Sequence, residues 1–294
     1  MSWELWILSS AFFLALYDIV KKASVRDNAV LPVLAIATLA GAIAYILSVA
    51  AAGALTRELL LPGWKVGALC AAKVVIVGSS WIFTYCALRT LPVTIATPIR
   101  ASAPALVILI AFFLYGERPS PMQWLGMSLV FIGFYAFSWA GRSEGIDFLR
   151  SRAVWCAVGG MILSAVSALW DKFVFQCEHA PVEAVQLYFQ VGLFFFYLAI
   201  MLFMKTIRVP SPHRFEWRLS IPFVGIILAA ADWLYFHGLS EPDVPVSVVS
   251  LLRRFSVAIT FVFGAFIFRE TNLKRKTLAL VLLLAGTALI CLAH

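Results

Sequence analysis

The chain has 294 residues, of which 63% are hydrophobic and only 13% charged, with a formal net charge of +8 and a mean hydropathy of +0.95. A soluble domain is about 45–50% apolar and about 25% charged, so no water-soluble fold could cover this much apolar surface. Soluble enzymes, nucleic-acid modules and secreted disulfide scaffolds are thereby excluded, and the basic excess points to lysine and arginine gathered in cytoplasmic loops instead of a polyanion partner.

A helix needs roughly 20 apolar residues to cross the hydrocarbon core. In chain order that ruler predicts ten spans, near 3–20, 30–53, 64–88, 93–115, 122–140, 152–173, 182–206, 217–238, 243–268 and 274–293. The first begins at Trp3 with no basic leader and no small-residue cleavage site, which reads as a retained helix. The runs do not alternate as barrel strands would. The fold class expected is an all-α membrane protein.

Alternate connections divide the basic residues 15 to 4. The rich set contains Lys21, Lys22, Arg26, Arg89, Arg142 and Lys276, among others, and the poor set is Arg57, Lys65, Arg118 and Lys172. The positive-inside rule puts the rich set in the cytoplasm and both termini outside.

The sequence also matches itself at an offset of 153. Asp18 maps to Asp171, Pro92 to Pro245, Arg100 to Arg253, Glu117 to Glu270 and Gly133 to Gly286, while Trp81 and Trp233 agree at 152. Two halves follow, 1–144 and 145–294, each with five spans. An odd number forces the second copy into the membrane upside down, and inverted repeats of this kind characterise alternating-access transporters.

Five plus five spans, Pro98 and Pro104 in the fourth, the closing pair Gly116 and Glu117, and its echo Arg269 and Glu270 together resemble the EamA branch of the drug/metabolite transporter superfamily. The resemblance covers essentially the whole chain and implies a transporter of small molecules, with both termini in the cytoplasm and a bacterial inner or cell membrane as its place. On that point it opposes the charge count, which we follow. Gly126 and Gly133 in the fifth span, echoed by Ala279 and Gly286 in the tenth, are similar to the dimerisation helix of the small multidrug resistance proteins. Small residues at heptad spacing let helix backbones approach, and generic helix contact explains them equally well. The embedded glutamate of those proteins has no counterpart, since Phe13 or Leu14 stands there.

Ionisable residues inside spans each need an account, because insertion costs roughly 2.5–3.5 kcal/mol. Arg100 and Arg253 lie at matching depths in the fourth and ninth spans, from opposite faces. Hydroxyls accompany both: Thr94, Thr97 and Ser102 with the first, Ser247, Ser250 and Ser256 with the second. They are expected to line one cationic cavity for a carboxylate or phosphate, since the guanidinium fork pairs two oxygens at once. The string from Ser250 to Arg254 is similar to the Lys-Arg pair of the triose-phosphate translocators, which implies phosphate contact for Arg253 and Arg254. The alternative makes the arginines interhelical struts paired with Asp18, Asp171 or Asp232. Asp232 is the expected charge partner or proton carrier, His237 could titrate in the useful range, and Asp18, Asp171 and Lys73 are further candidates for those roles. Trp81 and Tyr85, with Trp233 and His237 equivalent to them, are expected to wall the cavity or simply to fill core.

No metalloprotease, hydrolase or phosphate-loop motif is present and no histidines pair at ligand spacing. No enzymatic activity, metal or cofactor is therefore expected. With no ATPase motif, transport would be secondary. The expected partners are a small-molecule substrate and the lipid bilayer, without nucleic acid, and the doubled chain suits a monomer. Export of neutral or zwitterionic metabolites such as amino acids, or flipping of a lipid phosphate on the same fold, are the rival functions.

Overall fold

The computed structural model describes residues 3–61, 63–103, 105–106, 120–142, 146–207, 213–241, 249, 252–269 and 273–292. Among these the chain is helical and contains no strand. The helices are α1 (Trp3–Val25), α2 (Val30–Ala51), a short α3 (Arg57–Leu60), α4 (Trp64–Thr90), α5 (Val93–Ala101) and α6 (Pro121–Arg142). They continue with α7 (Arg152–Lys172), which runs into a π-turn at Phe173–Cys177, then α8 (Val182–Thr206), α9 (Ser220–Ser240), α10 (Phe255–Ile267) and α11 (Leu273–Leu292). Six of them, α1, α2, α4, α7, α8 and α9, are long and apolar enough to cross a membrane. The expected spans at 93–115 and 243–268 fall partly outside the described residues, as do Ser247, Ser250, Glu117 and Glu270.

Local chemistry sets several boundaries. Gly53 takes φ +66 just past the end of α2, and its amide returns to the Ala50 carbonyl, a left-handed stop that glycine adopts without steric cost. A reciprocal capping box opens α6: the Ser120 amide donates to Gln123 Oε1 at 2.8 Å and the Gln123 amide to Ser120 Oγ at 3.2 Å. Pro121 then occupies the first turn, where its missing N–H costs nothing. Pro98 sits within α5 and removes a helical donor, and that helix ends three residues later.

Close contacts between helices are made where side chains are smallest. A Cβ on Gly126 would stand 2.7 Å from the Gly286 carbonyl, and one on Gly133 would stand 3.1 Å from that of Ala279. The two small-residue stripes thus face each other within one chain, α6 against α11, a contact that van der Waals proximity favours in lipid. Between α2 and α9 the backbones meet at Gly41 and Gly225. Ser10 donates to the Ala231 carbonyl at 2.7 Å between α1 and α9, and Ser80 to the Gly160 carbonyl at 2.9 Å between α4 and α7.

These neighbours follow a rule. α1 lies on α9 and α10, and α7 on α4 and α5; α2 lies on α9, and α8 on α4. Exchanging each helix of the first half for its offset partner in the second converts one set into the other.

One expectation needs correction. Lys21 and Lys22 belong to α1, which extends past residue 20, and both are buried, as is Lys276. Treated as loop residues they inflate the cytoplasmic count, and without those three the fifteen become twelve. A lysine held inside the protein reports on its neighbours and not on the headgroups.

Candidate functional site

Two clusters of buried charge lie in the helical core. In the first, Asp18 and Lys21 stand one turn apart on α1 and their side chains are ion-paired, with 1% and 0% of each exposed. Arg100 reaches the same carboxylate from α5, Nη2 to Oδ2 at 2.7 Å. One acid therefore serves two cations. Aromatic faces take up some of the excess: the Lys21 ammonium is 4.2 Å from the Tyr17 ring centroid and 5.7 Å from that of Tyr85. The hydroxyls of Tyr17 and Tyr85 lie 3.4 Å apart. Lys22, on the next face of α1, donates to the carbonyls of Leu88 and Leu91 at 2.6 and 2.7 Å, answering acceptors freed at the end of α4. A small cavity opens beside this cluster, lined by Asp18, Lys21, Thr84, Thr97 and Arg100 against an apolar wall of Ala87, Leu88, Ala96 and Ala157.

In the second cluster Lys73 of α4 is ion-paired with Asp171 of α7, and both are buried. The Lys73 ammonium also lies 4.8 Å from the Phe189 ring centroid and 4.7 Å from that of Phe236. Asp232 of α9 is buried and within electrostatic range of Arg253, Lys73 and Asp171. Its Oδ2 has no hydrogen-bond partner among the described residues. Arg253, just before α10, lays its guanidinium on the Tyr235 ring at 3.8 Å, and its buried Nε likewise lacks a partner among the described residues. Two acids here meet two cations.

The remaining residues expected at a site divide among several places. Arg100, Asp18, Tyr85 and Thr97 come together in the first cluster, and Asp171, Lys73, Asp232 and Arg253 in the second. Arg100 lines the cavity of the first cluster, and Arg253 is not among the residues that line it. Arg254 is half-buried and precedes α10. Trp81 packs edge-on against Phe189 at 6.1 Å. The rings of Trp233 and His237 lie tilted to each other with centroids 4.3 Å apart, and both meet Trp6 of α1. His237 contacts the Trp233 carbonyl through Nδ1 at 3.0 Å and Glu183 through Nε2 at 3.4 Å, so it is held at the end of α9, away from either cluster's ion pairs. Sequence reasoning missed Lys21, Thr84 and Tyr235. For Lys21 the signal was present: an i, i+3 spacing from Asp18.

A helical membrane protein with a doubled charge arrangement is what these observations define. The EamA-like transporter family model matches residues 1–139 and again residues 151–292. The chain belongs to this family of membrane transporters of small molecules and carries two copies of its repeat. No curated protein sequence matches it. A solved crystal structure of a protein shares the fold, with a TM-score of 0.66 at 17% identity, covering 98% of this chain and 96% of the other.

Proposed function

We propose that this chain is a secondary transporter that moves a small carboxylate- or phosphate-bearing metabolite by alternating access, with ten spans arranged as two inverted five-helix halves. The observation that carries the substrate class is the surplus positive charge of the first cluster, beside a cavity of about 10 Å³ that has room for a single water until the helices part. The cavity's polar lining offers two cations, Lys21 and Arg100, two hydroxyls, Thr84 and Thr97, and a single carboxylate. An incoming anion would neutralise the surplus charge and give Arg100 a second oxygen pair. The inverted arrangement draws support from the exchange rule among helix neighbours. Alternating access is the cycle that such repeats serve.

A second reading has its own observation. Asp18 faces the same cavity, so a zwitterion could set its carboxylate against Arg100 and its ammonium against Asp18. Thermal unfolding of the purified protein against organic phosphates, dicarboxylates, amino acids and neutral analogues separates the two. A ligand at 100 times its Kd stabilises by about 2.7 kcal/mol. Stabilisation by anions that is lost in Arg100→Gln and partly kept in Arg100→Lys supports the anion reading. Stabilisation by amino acids alone moves the second reading into first place.

A further inference from the structure

Asp232 is the buried acid that its neighbours leave least answered. It is 8% exposed, and Oδ2 has no hydrogen-bond partner among the described residues. The charged groups that act on it electrostatically are Arg253 from ahead of α10, Lys73 from α4 and Asp171 from α7. Lys73 is committed to Asp171, and Arg253 rests on the ring of Tyr235, a residue of α9 itself. From the other helices on α9, α1 brings Ser10, whose hydroxyl goes to the Ala231 carbonyl, and α8 brings Gln186, whose amide goes to that of Ala229. Glu183 of α8 meets His237 farther along α9. At the contact of α2 with α9 stand glycines.

A buried acceptor left without a donor costs about 1–3 kcal/mol, and more when it is charged. A proton removes both the charge and the orphan acceptor. It also changes the cluster's balance. With Asp232 ionised, Lys73, Arg253, Asp171 and Asp232 sum to zero; with Asp232 protonated, the four carry one positive charge. Protonation of Asp232 thus gives the second cluster the same single surplus positive charge that Lys21, Arg100 and Asp18 give the first, so that an anion in the core meets net positive charge in both.

We infer that Asp232 is the proton-binding site of the transport cycle, and that its proton and the substrate anion bind together, making transport a proton–anion symport. The coupling rests on the anion reading above; the proton site does not. In the step itself a carboxylate takes one proton and becomes a carboxylic acid, with no other bond made or broken, and releases it on the opposite face. A monoanion and its proton cross as a neutral pair, which removes the electrical cost of carrying the anion alone.

Infrared difference spectra of the full chain in lipid, recorded across a pH titration without any ligand, test the inference. Acidification should produce the C=O stretch of a protonated buried carboxyl that Asp232→Asn removes and that Asp147→Asn, at an exposed acid between α6 and α7, keeps. Arg253→Gln should raise the midpoint of that band by about 1–3 pH units, because an opposite charge nearby holds a carboxyl ionised. Arg253→Lys should leave the midpoint close to the parent. A band that survives Asp232→Asn overturns the proton site; in a second titration with the best anion of the thermal screen the midpoint should rise, and a midpoint indifferent to that anion overturns the symport. If thermal unfolding shows no anion binding while the spectra behave as expected, the anion reading has failed and the proton site stands without symport.

Discussion

Arg100 and Arg253 occupy equivalent places in the two halves, yet their surroundings differ. Arg100 is bound to Asp18 at 2.7 Å, whereas Arg253 lies on an aromatic ring with its Nε unanswered among the described residues. The lysines account for much of the contrast. In the first cluster Lys21 comes from the aspartate's own helix, and its counterpart in the second half is Val174. In the second cluster Lys73 comes from α4, and its counterpart on α9, at the offset of 152, is Gly225, the residue that lets α9 touch α2. Asp232 has Ser80 as its equivalent, whose hydroxyl is occupied by the Gly160 carbonyl. The two halves share the aspartate and the arginine and differ in the lysines and the second acid, which makes one cluster cationic and the other balanced. A doubled fold thus holds two unlike electrostatic sites on one backbone plan.

The largest effect expected from this contrast is at Asp18. Asp18→Asn leaves Lys21 and Arg100 buried with no counter-ion, and breaking a buried pair on one side costs about 3–5 kcal/mol. Denaturant unfolding in detergent should register that loss. Asp171→Asn should cost clearly less, because Lys73 retains Asp232 in electrostatic range, whereas Lys21 and Arg100 share the one acid that Asp18→Asn removes. Equal losses in the two variants would erase the distinction between a cationic and a balanced cluster.

Next in size is ligand binding. Arg100→Gln should weaken binding of any stabilising anion by at least about tenfold, since a charge-assisted bond contributes roughly 1.5–3 kcal/mol. Arg100→Lys should lose less, keeping the charge but not the planar fork. Titration calorimetry with the best anion from the thermal screen reads both. Anion affinity indifferent to Arg100 would move the substrate to the second cluster.

Much of this arrangement is legible in the sequence, for physical reasons. Apolar runs announce α1, α2, α4, α7, α8 and α9, because a backbone in lipid must satisfy its own hydrogen bonds. The pair Asp18 and Arg100 stands out because a charge in such a run needs a partner. Lys21 was hidden by a boundary: ending the first span at residue 20 turns a buried ion-pair partner into a loop residue. The stripes at Gly126 with Gly133 and at Ala279 with Gly286 foretell a close helix contact, but not that they face each other within one chain. Trp81 and Tyr85 share a helix face, yet one turn of depth separates a Phe189 contact from the Tyr17 hydroxyl. The ring under Arg253 depends on how α9 is rotated against the approach to α10, which no periodicity encodes.

The smallest expected effect concerns that ring. Tyr235→Leu removes the surface on which the Arg253 guanidinium lies and leaves the volume of the core nearly intact. A cation–π contact contributes about 0.5–1 kcal/mol when exposed and about 2 or more when desolvated, so a loss within that range is expected. The direction of a secondary effect is more telling. Freed from the ring, Arg253 can turn to Asp232, the nearby acid whose Oδ2 has no partner among the described residues, and form the ion pair that the present geometry withholds. The midpoint of the Asp232 carboxyl band should then fall, opposite in sign to its rise in Arg253→Gln. The first cluster offers the control: Tyr85→Leu loosens contacts around Lys21 but leaves Arg100 fixed to Asp18, so that band should not move. If Tyr235→Leu leaves the midpoint unchanged as well, the ring is only a resting surface for the guanidinium and does not hold it away from the acid.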